Sequence, residues 1–137
     1  MALSNYEEDV VDALAAGGIG LTKGTNLFAG PLRSASENFP QKVVTCMLNG
    51  GPSPLNYCDG TAANQLRYPV VQILIRSDPH GYEAGRNLVE QVYETLHDTP
   101  PAGYIGARFL SSGPGYIGSE DNGNHVWSLN LQMWINE

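Results

Sequence analysis

The last segment of the chain alternates apolar and polar residues with a period of two. From residue 125 onward, one set of alternate positions carries mostly large apolar side chains, namely Trp127, Leu129, Leu131, Met133 and Ile135. Successive side chains of a strand point to opposite faces, so this pattern predicts a strand with one buried face. Trp134 interrupts the polar set. We expect it either to pack on a neighbouring strand or to anchor a contact with another protein.

Five other segments predict strands, because most of them are rich in β-branched and apolar residues. The longer ones cover residues 42–48, 67–76 and 104–110, and a shorter one lies around 25–29. A strand of two or three residues is predicted at 116–117. These segments supply enough strands for one sheet.

Apolar residues at spacings of three and four predict two helices. The first covers about residues 5–16, and Ser4 begins a Ser-x-x-Glu capping box at its start. The second covers 81–97, and we interpret Asp78-Pro79 as its N-cap and first helical residue. The apolar positions of the two helices are Tyr6, Val10, Val11 and Leu14, and then Gly85, Leu88, Val89, Val92, Tyr93 and Leu96.

Without the short strand at 116–117, the order of elements is helix, three strands, helix and two strands, which predicts an α+β fold. We expect a single domain over residues 1–137. Its sheet would be mostly antiparallel or mixed, packed by one long helix and a short N-terminal helix. Strands 67–76 and 104–110 flank the long helix, so some parallel pairing is compatible with this order.

The charge balance argues against two classes of partner. The 137 residues include seven Lys and Arg against fourteen Asp and Glu, which gives a net charge of −7. Non-specific nucleic-acid binding and docking on an anionic membrane both need basic clusters, so we expect neither. Charged residues make up only 15% of the chain, against about 25% in typical soluble domains. A surface this poor in charge suits a protein that other subunits partly cover.

Residues with catalytic or metal-binding chemistry are scattered along the chain. Segment 17–25, GGIGLTKGT, lacks the Gly-Lys-Ser/Thr order of a phosphate-binding loop. Cys46 lies within a predicted strand, where a small buried thiol is the ordinary outcome. His80 has Asp78 near it in the sequence, but we interpret Asp78 as a helix cap. We therefore expect no catalytic residue, no metal and no cofactor.

Several segments follow one another in a distinctive order along the whole chain. An acidic N-terminal helix ends at Gly17-Gly18 and is followed by GTNLFAG at 24–30. A strand, an Asp-Pro pair and a long helix then occupy 67–96, and an aromatic strand closes the chain at 124–137. This order resembles that of siphophage tail terminators, which are also described as bacteriophage minor capsid proteins.

The resemblance implies a structural virion protein of the phage tail or neck. Such proteins form a ring, usually a hexamer, on the last ring of the tail tube. There they end polymerisation of the tail tube protein and present a surface to the head–tail connector or head completion protein. DNA passes through the ring without specific binding, and assembly takes place in the host cytoplasm. The resemblance implies no catalytic residue and no cofactor.

Two segments rich in glycine, proline and asparagine, 49–65 and 111–124, are predicted to be long exposed loops. In a stack of rings they would be arms that reach the subunits above and below. The candidate interface residues are Asn49, Tyr57, Asp59, Tyr116, Glu120, Asp121 and Trp134. The excess of acidic residues would let DNA slide through the channel if these acids face the lumen, because like charges repel.

Other functions stay open at the level of the sequence. A head–tail connector or completion protein of the phage neck has a similar size and composition. A small protein-binding adaptor module outside phages is a second alternative. An enzyme is a third, and its active site would have to be assembled from the scattered residues described above.

Overall fold

Two helices lie on one face of a mostly antiparallel β-sheet. The computed structural model describes residues 5–30, 42–52, 55–56, 65–111, 113, 115–119 and 123–136. The helices are α1 (Tyr6–Ala16) and α2 (Tyr82–Leu96). The strands are β1 (Leu27–Ala29), β2 (Lys42–Leu48), β3 (Leu55–Asn56), β4 (Gln65–Arg67), β5 (Val70–Ser77), β6 (Gly106–Phe109), β7 (Gly115–Ser119) and β8 (His125–Asn136). The architecture is α+β, which confirms the fold class predicted from the order of elements.

The last strand, β8, lies in the middle of the sheet. It pairs antiparallel with β4 and β5 along one edge, and with β6 and β7 along the other. Beyond β5 the sheet continues to β2 and then to β1. The register places Leu129 opposite Ile73 and Leu131 opposite Phe109, and all four side chains are buried. The alternating pattern of β8 therefore marks the centre of the hydrophobic core.

The predicted strand 67–76 is interrupted at Tyr68 and Pro69. Strand β4 ends at Arg67 and β5 begins at Val70, yet both keep one register against β8. Proline has no N–H to donate to a neighbouring strand, which interrupts the ladder at this point. The Pro69 carbonyl still accepts a hydrogen bond from Met133 N at 2.9 Å, so the two halves stay aligned.

The sheet is mixed, but its parallel pair is not the one that flanks the long helix. Strands β5 and β6 run in the same direction, and β8 lies between them and is antiparallel to both. Among the described strands, the parallel ladder joins β1 to β2, with Phe28 opposite Thr45. Helix α2 therefore connects two strands that are separated by a third.

The helices bury the faces that their apolar spacing predicts. The buried side is formed by Tyr6, Val10, Val11 and Leu14 of α1 and by Gly85, Leu88, Val89, Val92 and Leu96 of α2. Helix α2 approaches the sheet closely at Gly85. A Cβ at this position would lie 2.6 Å from Cη2 of Trp127 and 2.7 Å from Oγ of Ser77. Only glycine leaves room for this approach.

Both helix starts differ from the expectation. Asn5 caps α1, and its Oδ1 accepts a hydrogen bond from Glu8 N at 3.2 Å, whereas Ser4 lies outside the described residues. Helix α2 begins at Tyr82 after the N-cap residue Gly81. The carbonyl of Asp78 accepts a hydrogen bond from Gly81 N at 3.0 Å, which forms a turn before the helix. The prediction that Asp78 caps α2 was therefore wrong, because the turn separates it from the first helical residue.

The two segments predicted to be long loops contain more strand than the short one expected at 116–117. Strand β7 is five residues long and pairs with β8, with an irregularity between Tyr116 and Gly118. Strand β3 pairs with β4 through Leu55 and Leu66. Neither segment has a strong apolar alternation of its own. Their strand structure depends on pairing with a neighbour, which local sequence does not show.

Candidate protein interface

Two residues considered for an active site, Cys46 and Lys23, are buried or engaged elsewhere. Cys46 is fully buried in β2. Burial raises the pKa of its thiol to about 12, and the negative charge of Glu7 adds to the shift. A nucleophilic cysteine needs a thiolate, which this environment disfavours. Cys46 is a core residue.

Lys23, the lysine of segment 17–25, binds the acidic side of α1. Its Nζ lies 2.5 Å from Glu8 Oε2 and 3.2 Å from Asp12 Oδ1. These hydrogen bonds, first that to Glu8 and then that to Asp12, raise the pKa of Lys23. The lysine therefore fastens the loop after α1 to the helix and does not point into a glycine-rich cradle.

The histidines and acids also show no constellation of metal ligands in the part of the chain that the structure describes. No group of three or more His, Cys, Asp and Glu side chains there could hold a metal ion. His125 instead bridges two elements: its Nδ1 lies 2.8 Å from Tyr116 Oη and its Nε2 lies 3.1 Å from the Pro79 carbonyl. Neither described helix is long and apolar enough to cross a membrane.

An aromatic cluster lies where the start of α2 meets β7 and β8. The ring centres of Tyr82 and Trp127 are 5.3 Å apart, and those of Tyr82 and Tyr116 are 5.4 Å apart. Trp127 is buried, but Tyr82 and Tyr116 are 45% and 46% exposed, and neighbouring Ile117 is 62% exposed. Partly exposed aromatic and aliphatic side chains on a rigid base are typical of protein–protein contacts.

Of these residues, the sequence had pointed only to Tyr116 as an interface candidate. Tyr82 lies in the helix predicted over 81–97, and Ile117 lies in the short strand predicted at 116–117. Their exposure depends on the way β7 is placed at the side of the sheet, beside β8. The local sequence pattern does not predict this position of β7.

Trp134 packs across the neighbouring strand. It lies opposite Gly106 of β6, and a methyl group at Gly106 would overlap the indole ring. This agrees with the first expectation for Trp134, which is packing on an adjacent strand. The side chain is nevertheless only half-buried, so its role as an interface anchor stays a prediction.

Asn49 follows β2 on the same side of the sheet as Trp134. Its side-chain Nδ2 donates a hydrogen bond to Asn130 Oδ1 at 3.3 Å, and its backbone N–H donates to the Val70 carbonyl. Asn49 itself is exposed. It therefore continues the ladder between β2 and β5 while leaving much of its side chain free for contact.

The seven candidate interface residues are not gathered in one place. Tyr116 lies on the face that carries the helices, whereas Asn49 and Trp134 lie on the opposite face. The other four, Tyr57, Asp59, Glu120 and Asp121, lie outside the described residues. The described candidates therefore mark two separate surfaces.

Comparison with known proteins identifies the family. Residues 39–137 match the family model described as bacteriophage tail terminator protein. The chain belongs to the bacteriophage tail terminator family. It is thus a structural protein of the phage tail, as the resemblance of its sequence implied. No curated protein sequence is similar to this tail terminator.

A solved structure shares the fold of this tail terminator. It belongs to the "Virion of native gene transfer agent (GTA) particle" and superposes with a TM-score of 0.56. The two chains are 17% identical, and the match covers 96% of this chain and 94% of that one. At this identity the likeness shows the common fold.

Charge in the tail terminator is divided between its two layers. Every acidic residue of the described chain lies in α1, in α2 or in the turns on either side of α2. The described strands contain no acidic residue and carry Lys42, Arg67, Arg76 and Arg108. The helical layer is therefore acidic and the sheet is neutral to basic, which the net charge alone did not show.

Proposed function

We propose that this protein is the subunit of a ring that caps the phage tail tube. The ring, a hexamer, ends polymerisation of the tube and joins the tail to the head–tail connector or head completion protein. Its central channel lets DNA pass without specific binding. The observation that carries this proposal is the match of residues 39–137 to the tail terminator family.

The exposed apolar residues support an assembled state. Leu48, Ile105, Leu110 and Ile117 are all more than half exposed in the single chain. They are spread over several elements and add to the exposed aromatic pair at the start of α2. Contact with other subunits would remove this apolar surface from water, which favours association.

The two segments expected to be arms give further support. Segment 49–65 lies between β2 and β4 in the chain, and its described residues Leu55 and Asn56 pair with β4. Segment 111–124 connects β6 to β8 through β7. We propose contacts with the tube below and the connector above through these arms, including the candidate residues Asn49 and Tyr116.

A tube-capping assay tests the function. Purified protein is added to tail tube protein while the tube protein polymerises, and the products are viewed by electron microscopy. We expect elongation to stop and each tube to end in an extra ring whose mass corresponds to six protomers. Tubes that grow to the same length with and without the protein would contradict the capping role.

A control separates capping from non-specific inhibition. The same protein, heated until unfolded and cooled, is added at the same concentration. It should leave tube length unchanged, because a ring cannot form without the folded sheet. Equal inhibition by the folded and the unfolded sample would also count against the proposal.

A further inference from the structure

The chain just after β2 carries two neighbouring residues that can react with each other. Asn49 directly precedes Gly50, and glycine has no side chain to hinder its own backbone nitrogen. We propose that Asn49 is a site of spontaneous deamidation, in which the backbone nitrogen of Gly50 attacks the side-chain amide of Asn49. The products carry aspartate or isoaspartate at position 49. The reaction takes place within one chain, so it does not depend on the proposed ring.

The peptide unit between Asn49 and Gly50 is held at its two ends but not in the middle. Asn49 N–H donates to the Val70 carbonyl at 2.7 Å, and Val70 N–H donates to the Gly50 carbonyl at 2.9 Å. Within the described part of the chain, neither the Asn49 carbonyl nor the Gly50 N–H makes a hydrogen bond. This peptide unit can therefore rotate while both bonds to Val70 stay in place.

Two glycines determine where the chain can move. Gly50 has a φ of +71°, and glycine adopts φ values of either sign, so rotation of the preceding peptide unit meets no Cβ. Gly51 lies against the sheet, because a Cβ there would overlap the Tyr68 carbonyl oxygen. The chain is thus fixed at Gly51 and movable just before it. Attack needs this freedom, since Gly50 N must move to bonding distance from Cγ of Asn49.

The side chain of Asn49 is exposed and weakly held. Its Nδ2 donates a hydrogen bond to Asn130 Oδ1, and the distance of 3.3 Å is long for such a bond. Breaking one weak hydrogen bond at an exposed position costs little, because water replaces the lost partner. Water is also a reactant, and it reaches this amide directly. The fold therefore leaves the reacting group accessible.

The reaction consumes one water and releases ammonia. Gly50 N forms a bond to Asn49 Cγ, the bond from Cγ to Nδ2 breaks, and the proton lost by Gly50 N leaves with the amide nitrogen as ammonia. Water then opens the resulting five-membered imide. Opening at Cγ gives aspartate, whereas opening at the backbone carbonyl gives isoaspartate, whose main chain runs through the former side chain. No oxidant or reductant takes part.

Both products change the end of the ladder between β2 and β5. Aspartate has no N–H to donate, so the bond to Asn130 Oδ1 is lost. Isoaspartate adds one carbon to the main chain between the two groups that bind Val70, which are Asn49 N–H and the Gly50 carbonyl. These groups then no longer match a single residue of β5. A negative charge also appears at the start of segment 49–65.

Peptide mapping by mass spectrometry tests the reaction in the full chain. Folded protein is incubated at mildly alkaline pH in water enriched in heavy oxygen, and a second sample is kept unfolded in guanidinium chloride. We expect Asn49 in the folded protein to convert within about tenfold of its rate in the unfolded sample, because the ends of strands open locally at little cost. Asn130, which precedes Leu131, is the internal control and should stay intact.

Two outcomes would overturn the inference. If Asn49 stays intact in the folded protein while it converts in the unfolded sample, the bonds to Val70 protect it. If aspartate forms without isoaspartate, water attacks the side chain directly and Gly50 N takes no part. Asn122-Gly123 is a second Asn-Gly pair in the sequence, so each conversion is assigned from its own peptide. Asn49→Gln, at an exposed position, should keep the circular dichroism of the wild type and lose the fast reaction at position 49.

Amide hydrogen exchange tests the structural consequence. Val70 N–H should exchange at least about tenfold faster in the isoaspartate fraction than in unmodified protein, because its acceptor is the Gly50 carbonyl. The amide of Ile73, opposite Cys46 in the middle of the ladder, should keep its rate. Equal exchange of Val70 N–H in the two fractions would contradict the loss of register.

Discussion

The close approach of α2 to the sheet predicts that Gly85→Ala destabilises the protein. A Cβ at Gly85 would lie 2.6 Å from two ring atoms of Trp127, Cη2 and Cζ3, and 2.7 Å from Oγ of Ser77. The indole cannot easily retreat, because Trp127 is buried and Tyr82 and Tyr116 pack against it at 5.3 and 5.5 Å. The helix or the ring must therefore move.

Two opposing effects determine the size of the change. Alanine is favoured over glycine inside a helix by about 1 kcal/mol, which would stabilise the variant. Forcing a methyl group into a packed core costs about 1–3 kcal/mol. Since the methyl group meets a rigid ring and a hydroxyl at once, we expect the upper part of that range. The net loss is then about 1–2 kcal/mol, or about 3–8 °C in melting temperature.

Thermal unfolding followed by circular dichroism measures this loss. Ala84→Gly, at an exposed position of the same helix, calibrates the helix-propensity effect and should cost about 1 kcal/mol. Gly113→Ala is the matched control, since a Cβ there meets no atom within 4 Å. If Gly85→Ala raises the melting temperature by as much as Ala84→Gly lowers it, α2 does not contact Trp127 as described.

Three further predictions concern the core and the interface. Leu131→Ala should lower the free energy of unfolding by about 2–5 kcal/mol, measured by urea unfolding, because Leu131 is fully buried. Leu110→Ala, at an exposed position, should lower it by less than about 0.5 kcal/mol. A Cys58→Ser variant leaves Cys46 as the one cysteine of the chain. In this folded variant, the Cys46 thiol should react only slowly with a thiol reagent at pH 8. Because its pKa rises from 9.0 to about 12 on folding, stability should fall as pH increases above about 9. Trp134→Ala should keep the fold, judged by circular dichroism, but impair ring formation, and a variant that instead unfolds would place Trp134 in the core.

Periodic segments were predictable because their own residues specify them. The apolar set of β8 and the stripe of α2 that includes Leu88 and Val92 are buried as their spacing predicts. In each case one side of the element is covered along its whole length, so the pattern is long and regular. Burial of that side provides the main stabilisation, and the sequence shows it directly.

Features that depend on a neighbouring strand or turn were not predictable in the same way. The interruption at Pro69 leaves β4 and β5 in one register because β8 aligns them both. Strand β7 extends beyond 116–117 because β8 is long enough to pair with it. Asp78 has the residue type of a cap but lies in a turn before the helix. Local preference yields to strand pairing in the first two places and to a turn in the third.

The candidate interface was predictable in residue type more than in position. Trp134 was identified because an aromatic residue on a polar face is unusual, and Tyr116 because it lies in segment 111–124, which was predicted to be an exposed loop. Their partners Tyr82 and Gly106 come from other parts of the chain, so no local motif connects them. The sequence also could not show that Tyr116 and Trp134 occupy opposite faces, since this depends on the register of both β6 and β7 against β8.

The division of charge between the layers changes the argument about DNA in the channel. A net charge of −7 suggests a repulsive lumen only if acidic residues line it. Among the acids of the helical layer, Glu8 and Asp12 of α1 already pair with Lys23. If the helical layer faces the channel, the acids of α1 and α2 would repel DNA, and the hydrogen bond from Tyr104 Oη to Asp9 at 2.6 Å would hold one of them in place.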